Sequence, residues 1–381
     1  MLRSLILMIE HTGNGGLSQY TYNLCKALTR AGQKICLWTA RGYEIQDADK
    51  EFRAERIFNR YATNPFKLVK AAQELAKRPP DIIHFQGATR AEYHLFLLGL
   101  LRLFLKAPVV YTVHDAAHPV SRRPKRRALN LLYRCTDQLI VHAEHNKRLL
   151  ITDYQVDPAK VEVVPHGNYL FYTELAPSLN REELKKHPGQ KNILFFGIIT
   201  PRKGLIHLIR AFQAVHAAIP DSKLLIVGHP YEDPSQYLRE IERLHLTEAV
   251  YTRFSYVPLE EVPGYFRAAD VVVLPYVEVF QSGVLQLAYA FGKPVVVTNC
   301  GGMPEVVEEG KSGFIVPAGD AASLGAAILA LLKSPDLGQR MGQYAKKLAE
   351  TTYSWDGIAR RTLEVYEKNK GSLDFSYHTC V

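Results

Sequence analysis

Apolar positions fall into two successive series of short runs, separated by segments of helical period. The first series opens with Leu5-Ile6-Leu7-Met8-Ile9, the unbroken run expected of a strand buried on both faces. A glycine-rich turn follows at Gly13, Gly15 and Gly16. An amphipathic stretch from about residue 17 to 30, closed by Gly32, then predicts a helix. Further strands are predicted at residues 35–38, 81–85, 109–114, 138–142 and 161–165, with helical segments between them. The second series starts at residues 192–197 and continues through 224–228, 250–254, 270–274, 294–298 and 314–316. Alternation of this kind predicts an α/β class with two doubly wound parallel sheets in tandem, the carboxyl ends of their strands facing a cleft between domains. The expected division is a first domain over 1–170, a polar connection over 171–190, and a second domain over 191–353. A terminal helix over 354–370 and a frayed tail over 371–381 complete it.

Composition narrows the class. Of 381 residues, 47% are hydrophobic and 22% charged, values of a globular chain that exclude disorder and coiled coil. No apolar run reaches the ~18 residues that span a bilayer, and Arg3 and Glu10 interrupt the N-terminal one, so neither secretion nor membrane insertion is expected. Five scattered cysteines without CxxC spacing suggest neither a disulfide framework nor a thiolate zinc site, and fit a reducing cytoplasm. The charge is lopsided: residues 1–170 carry 25 Lys and Arg against 15 Asp and Glu, whereas the remainder carries 22 against 23. A basic first half implies an anionic partner, whether nucleic acid, an acidic membrane surface or a phosphorylated ligand.

Candidate chemistry lies at the strand-to-helix turns. Gly13-Asn14-Gly15-Gly16 reads equally as an anion-binding turn and as a tight connection; it lacks GxGxxG spacing, which disfavours a dinucleotide fold. A second turn, Gly197 to Gly204, places Arg202 and Lys203 just before a helix, against the dipole preference for anions there. A bound phosphate would explain it, and a solvated basic turn is the plainer reading. The densest stretch runs from Glu278 through Gln281-Ser282-Gly283-Val284 to Gln286. Ser282 and Gly283 offer small side chains and amides at a helix start, while Glu278 could bind sugar hydroxyls or cap the helix. His114 ends a strand at the ligand-facing edge, in a setting shared by His11, His84 and His118. Asp47 and Asp49 could hold a metal, but residues 43–56 read as a charged loop; with no HExxH spacing, no metal site is expected. The cluster Arg122, Arg123, Lys125, Arg126, Arg127 and the apolar run 95–105 read as a peripheral membrane face or acceptor patch. A buried crossover helix is the plainer account of the run. No nucleic-acid motif surrounds the basic cluster, so no nucleic-acid partner is expected.

At these residues the sequence resembles the GT-B glycosyltransferases of family 4, the retaining group 1 glycosyltransferases, over nearly the whole chain. The motifs are Phe195-Phe196-Gly197 with Lys203-Gly204-Leu205, the run from Ala269-Asp270 to Pro275, the Glu278 segment, Gly292-Lys293-Pro294, Gly301-Gly302 with Pro304-Glu305, and Gly313-Phe314. The resemblance implies two Rossmann-like domains, the first on the acceptor side, with the terminal helix packing back on it. It also implies a retaining, metal-independent hexosyltransferase in polysaccharide or glycoconjugate assembly. Such an enzyme needs no cofactor; a nucleotide-diphosphate sugar, UDP- or GDP-linked, is its co-substrate, and a saccharide or lipid-linked saccharide is its acceptor. It further implies a cytoplasmic protein, peripheral on the inner membrane face. Residue by residue, Gly15 and Gly16 would lie over the donor phosphates and His114 would touch the donor sugar. Lys203, with Arg202 after Gly197, would neutralise the leaving diphosphate. Glu278 would contact sugar hydroxyls, and Ser282, Gly283 and Val284 would bind phosphate through amides. Two positions depart from the pattern. Gln286 stands where a glutamate usually binds the ribose, and Ile198 where an arginine often follows the glycine. These departures keep a non-catalytic sugar-nucleotide binder in view, alongside a nucleotide-sugar epimerase of the same fold.

Overall fold

The computed structural model describes residues 4–45, 48, 50–59, 63–87, 90–115, 123–175, 187 and 189–370, without the side chains of 123–125 and 370. The chain divides into two compact units, one ending at Gly167 and resuming at Trp355, the other spanning Asn168–Ser354. The second unit begins at Asn168 because Tyr169 and Tyr172 pack in its core.

In the first unit the elements run β1 (Leu5–Ile9), α1 (Gly15–Arg30), β2 (Lys34–Ala40), β3 (Arg53–Phe58), α2 (Pro65–Ala76), β4 (Ile82–Gly87), α3 (Ala91–Arg102), β5 (Val109–Val113), α4 (Arg123–Cys135), β6 (Gln138–Val141), α5 (Glu144–Tyr154) and β7 (Val161–Val163). The second unit contains α6 (Phe171–Glu174), β8 (Lys191–Phe196), α7 (Leu205–Ala218), β9 (Ser222–Val227), α8 (Ser235–Arg243), β10 (Val250–Arg253), α9 (Val262–Ala268), β11 (Val271–Leu274), α10 (Gly283–Ala290), β12 (Val295–Thr298), α11 (Met303–Val306), β13 (Gly313–Val316), α12 (Ala321–Lys333) and α13 (Pro335–Glu350). Helix α14 (Trp355–Lys370) returns to the first unit, where Ile358, Leu363 and Tyr366 join Tyr20, Leu24 and Leu28 of α1 in one core.

Among the described residues, the first sheet has seven strands in the order β3-β2-β1-β4-β5-β6-β7 and the second six in the order β10-β9-β8-β11-β12-β13. Every pairing is parallel, so the central strands are covered on both faces and read as unbroken apolar runs: β1 is LILMI and β11 is VVVL. Strand β3 corrects the expectation of a loop over 43–56. It pairs with β2 from Cys36↔Arg53 onward, but as an edge strand it keeps Arg53, Glu55 and Arg56 at least partly exposed, so no apolar run marks it. Helix α3 buries Leu97, Leu98 and Leu101 as a crossover helix does, leaving Phe96 half-exposed and Leu103 beyond its end exposed. No described helix is long and apolar enough to cross a membrane.

Both sheets change direction at one place. The chain winds outward on one side, then crosses to the other, between β1 and β4 in the first sheet and between β8 and β11 in the second. At such a point the loops leaving neighbouring strands diverge and open a crevice beyond the carboxyl ends.

Candidate functional site

In the second unit the loops after β8 and β11, with the first turn of α10, carry all the candidates from that half of the sequence. The loop after β8 is stapled to the end of β9 through Gly197 N–H to the Val227 carbonyl (2.9 Å) and Ile199 N–H to that of His229 (3.0 Å). The approach is so close that a Cβ on Gly228 would stand 1.6 Å from the Gly197 carbonyl oxygen, so only glycine fits. A 3-10 turn, Pro201–Lys203, follows and ends at Gly204 with φ +64°. A Cβ there would lie 1.9 Å from the Pro275 carbonyl oxygen, so glycine again permits the two loops to touch. The contact is reciprocated: the Arg202 carbonyl accepts from the amides of Val277 (2.9 Å) and Glu278 (3.2 Å). Two segments some seventy residues apart are thereby locked edge to edge.

This lock brings the chemistry together. The Lys203 ammonium sits 3.6 Å from the centroid of the Tyr276 ring. The Tyr276 hydroxyl lies 3.3 Å from that of Ser282, the buried residue preceding α10. Ser282 caps none of the first amides of α10 with its side chain, leaving Gly283 and Val284 to open the helix without it. Cys300, in the loop after β12, registers both nearby charges. Burial holds its thiol above the usual value, Glu278 pushes the same way, and Lys203 opposes it. Burial likewise pushes the Tyr276 phenol up to about 12, so it is neutral. One turn into α10, Gln286 is fully buried, and neither its Oε1 nor its Nε2 has a hydrogen-bond partner. A buried, unsatisfied amide is costly, and such groups usually await a ligand or water. Ile198, in place of the expected arginine, is about half exposed.

The corresponding edge of the first unit is filled by its own side chains. Glu10 follows β1, is fully buried, and its carboxylate accepts from the amides of Thr12 (2.6 Å) and Gly13 (3.1 Å) and from the hydroxyls of Thr12 and Thr39. Burial raises its pKa even so. Those amides are thus already spent on the Glu10 carboxyl group, which leaves Gly15 and Gly16 at the start of α1 for the expected role of the glycine turn. There Asn14 supplies no side-chain cap.

His114, expected at the donor sugar, lies with both ring nitrogens against other side chains of the protein. Nε2 lies 2.7 Å from Gln86 Oε1, and Nδ1 lies 3.3 Å from His142 Nε2. Gln86 Oε1 can only accept, so the single proton of neutral His114 sits on Nε2 and is donated there. His142 donates from Nδ1 to the Val164 carbonyl (2.8 Å), so its Nε2 is unprotonated and the 3.3 Å approach to His114 Nδ1 sets two lone pairs side by side without a proton between them. A sugar hydroxyl accepting from His114 Nε2 would have to displace Gln86. The same edge holds His84 between Tyr366 (2.6 Å) and Thr112 (2.7 Å), and His94 between Tyr111 (2.8 Å) and His11 (3.0 Å). Burial, aided by neighbouring histidines, sets His114 well below its usual pKa; burial brings His11 and His142 to about 4, and His84, His94 and His166 to about 3. The network is therefore neutral at pH 7.

The basic cluster is described only in part. Arg122 and the side chains of Arg123 and Lys125 lie outside the described residues, as do Asp47, Asp49 and His118. Arg126 turns back on α5, donating to the Asp153 carbonyl and lying 5.7 Å from the Tyr154 ring centroid, and stays partly exposed; Arg127 is exposed. Among the described residues no three His, Cys, Asp or Glu side chains cluster as metal ligands would. Sequence reasoning missed Tyr276, Gln86, His142 and Asn146; the last is fully buried in the first turn of α5 with its amide unpartnered. Their one available signal was position just beyond, or within, the carboxyl end of a strand.

Comparison with known proteins gives two family matches in sequence order. "Glycosyltransferase Family 4" matches residues 14–168, and "Glycosyl transferases group 1" matches 178–348. A D-inositol 3-phosphate glycosyltransferase of Corynebacterium jeikeium is 29% identical over 389 residues, spanning 93% of this chain and 92% of the relative. Among solved structures, a glycosyltransferase from Rickettsia africae superposes with a TM-score of 0.76 at 21% identity, covering 97% and 99% of the two chains. HepE of Anabaena, solved with UDP-glucose, gives 0.77 at 18%, covering 96% and 100%. At these identities the structures speak to the fold alone.

Proposed function

Because the chain belongs to the group 1, family 4 glycosyltransferases, we propose that it moves a sugar from a nucleotide diphosphate to a saccharide or lipid-linked acceptor, with the second unit holding the donor. The observation that carries this reading is the lock of Arg202 onto Val277 and Glu278, which gathers Lys203, Glu278 and the start of α10 at one crevice. Breaking a sugar–diphosphate bond builds negative charge on the leaving oxygen. In this proposal Lys203, Arg202 and the amides of Gly283 and Val284 stabilise that charge, so no metal is needed. Gln286 hydrogen-bonds the ribose hydroxyls with its amide, which satisfies a group the ligand-free protein leaves unpaired. Glu278 orients the sugar. With no side chain assigned as nucleophile, attack comes on the face the diphosphate leaves, and anomeric configuration is retained.

In the acceptor unit, the excess of positive charge in residues 1–170 favours an anionic acceptor or surface. A lipid-linked saccharide at the inner membrane face meets that description. So does a phosphorylated polyol, the acceptor class in the relative's name, and vesicle binding separates the two. The test of the function is incubation with UDP- and GDP-sugars in the presence of a chelator, with product anomers assigned by NMR. Transfer with retention supports the proposal. Epimerised donor, or binding without turnover, would replace it with the epimerase or the non-catalytic reading.

A further inference from the structure

We propose that Tyr276 is a positioning residue that sets the cation and the helix start of the donor site together, one through its ring and the other through its hydroxyl. The inference rests on the reading of Lys203 and Ser282 as phosphate-binding groups. Tyr276 is almost fully buried, and its backbone is fixed on both sides. Its own carbonyl accepts from the Thr298 hydroxyl (2.5 Å), and the preceding Pro275 carbonyl abuts Gly204, the neighbour of Lys203. The ring itself is buried and its hydroxyl meets Ser282, so its face is a packed platform for the ammonium 3.6 Å away. An aromatic face attracts an ammonium through its quadrupole without cancelling its charge, so the cation stays effective toward an anion. At the other end of the ring, the hydroxyl 3.3 Å from Ser282 ties the platform to the first residue before α10. One side chain thus fixes the spacing between the two groups that would bracket a diphosphate.

Calorimetry on the full chain, with UDP, GDP, ADP and dTDP as probes, tests this in wild type, Tyr276→Phe, Tyr276→Leu, Lys203→Ala and the Lys203→Ala/Tyr276→Leu double variant. Tyr276→Phe keeps the platform and should retain affinity within about threefold. Tyr276→Leu removes it and should weaken binding about tenfold. In the Lys203→Ala background the same Leu substitution should cost no more than Tyr276→Phe costs the wild type, because only the hydroxyl's hold on Ser282 is then left to lose. Equal losses in both backgrounds would overturn the proposal and leave Tyr276 a packing residue. Wild-type protein that binds none of the four nucleotides would overturn the underlying reading of the site as well. Should Tyr276→Leu not fold, the Lys203 ε-protons give a second readout. Over the ring face they should resonate upfield of the other lysines, and an unshifted position would overturn the proposal.

Discussion

The two sheets share a strand order and a crossover point, yet their carboxyl edges solve opposite problems. In the first unit the edge is largely filled by its own groups: Glu10 accepts from the amides of Thr12 and Gly13 and His114 donates to Gln86, although Asn146 is buried there with its side-chain amide unpartnered. In the second, glycines let two loops touch, a lysine is held over an aromatic face, and Gln286 is buried with nothing to bond. Polar groups that answer each other contribute rigidity, whereas a buried unanswered amide costs stability until water or a ligand meets it. The same architecture therefore presents two differently furnished edges through side chains alone.

The largest effect that would break this contrast is on turnover. Lys203→Ala should lower kcat by about a hundredfold or more while leaving the melting temperature nearly unchanged, since the charge acts on developing anionic charge and not on packing. Unchanged kcat would remove Lys203 from the chemistry.

Next is pH. The buried histidines of the first unit have folded pKa values below the ~6.5 of an unfolded chain, so below that pH the unfolded state binds more protons. Stability should be fully present above about pH 6.5 and fall as pH drops toward 4, by up to about 1.4 kcal/mol per pH unit for each histidine that must charge. Both tryptophans, Trp38 and Trp355, lie in the first unit, so their fluorescence reports its unfolding selectively. A midpoint in denaturant that does not move between pH 7 and 5 would contradict the closed network.

A paired substitution sharpens the comparison further. Gln86 and Gln286 are both fully buried. Gln86→Leu should destabilise the first unit by about 1–3 kcal/mol, because it leaves His114 Nε2 unpaired. Gln286→Leu should leave the ligand-free protein as stable or about 1 kcal/mol more so, while weakening nucleotide binding. Thermal melts with and without nucleotide read both, and the same sign in both variants would erase the distinction. The smallest effect concerns the surface: Arg127→Ala should reduce binding to anionic vesicles by about 1 kcal/mol at low salt, and the difference should vanish as salt rises.

Much of this was legible in the chain because parallel strands buried on both faces leave continuous apolar runs. β1, β8, β11 and β12 announce themselves in that way. Strand β3 does not, since an edge strand alternates Arg and Glu with its apolar positions. In the site, Arg202 and Lys203 stood out against the dipole preference of a helix start, Glu278, Ser282 and Gly283 as a loop and helix start suited to a sugar and a phosphate, and Gln286 as a departure from the family pattern. The Tyr276 platform and the Gln86–His114–His142 chain did not. They depend on parallel register, which brings strand ends from different segments side by side, and one sequence carries no periodicity that reports it. The inward turn of Arg126 was hidden for a similar reason: its partners belong to the next helix.

The central claim is that the edge of the second unit is built for a nucleoside diphosphate. Calorimetric titration of the wild-type chain with UDP, GDP, ADP and dTDP, without metal, tests it most directly. The account predicts saturable one-to-one binding with a clear preference for one base, accompanied by a rise in melting temperature. Absence of binding to all four would contradict it, and would make the unpaired amide of Gln286 a cost without a ligand.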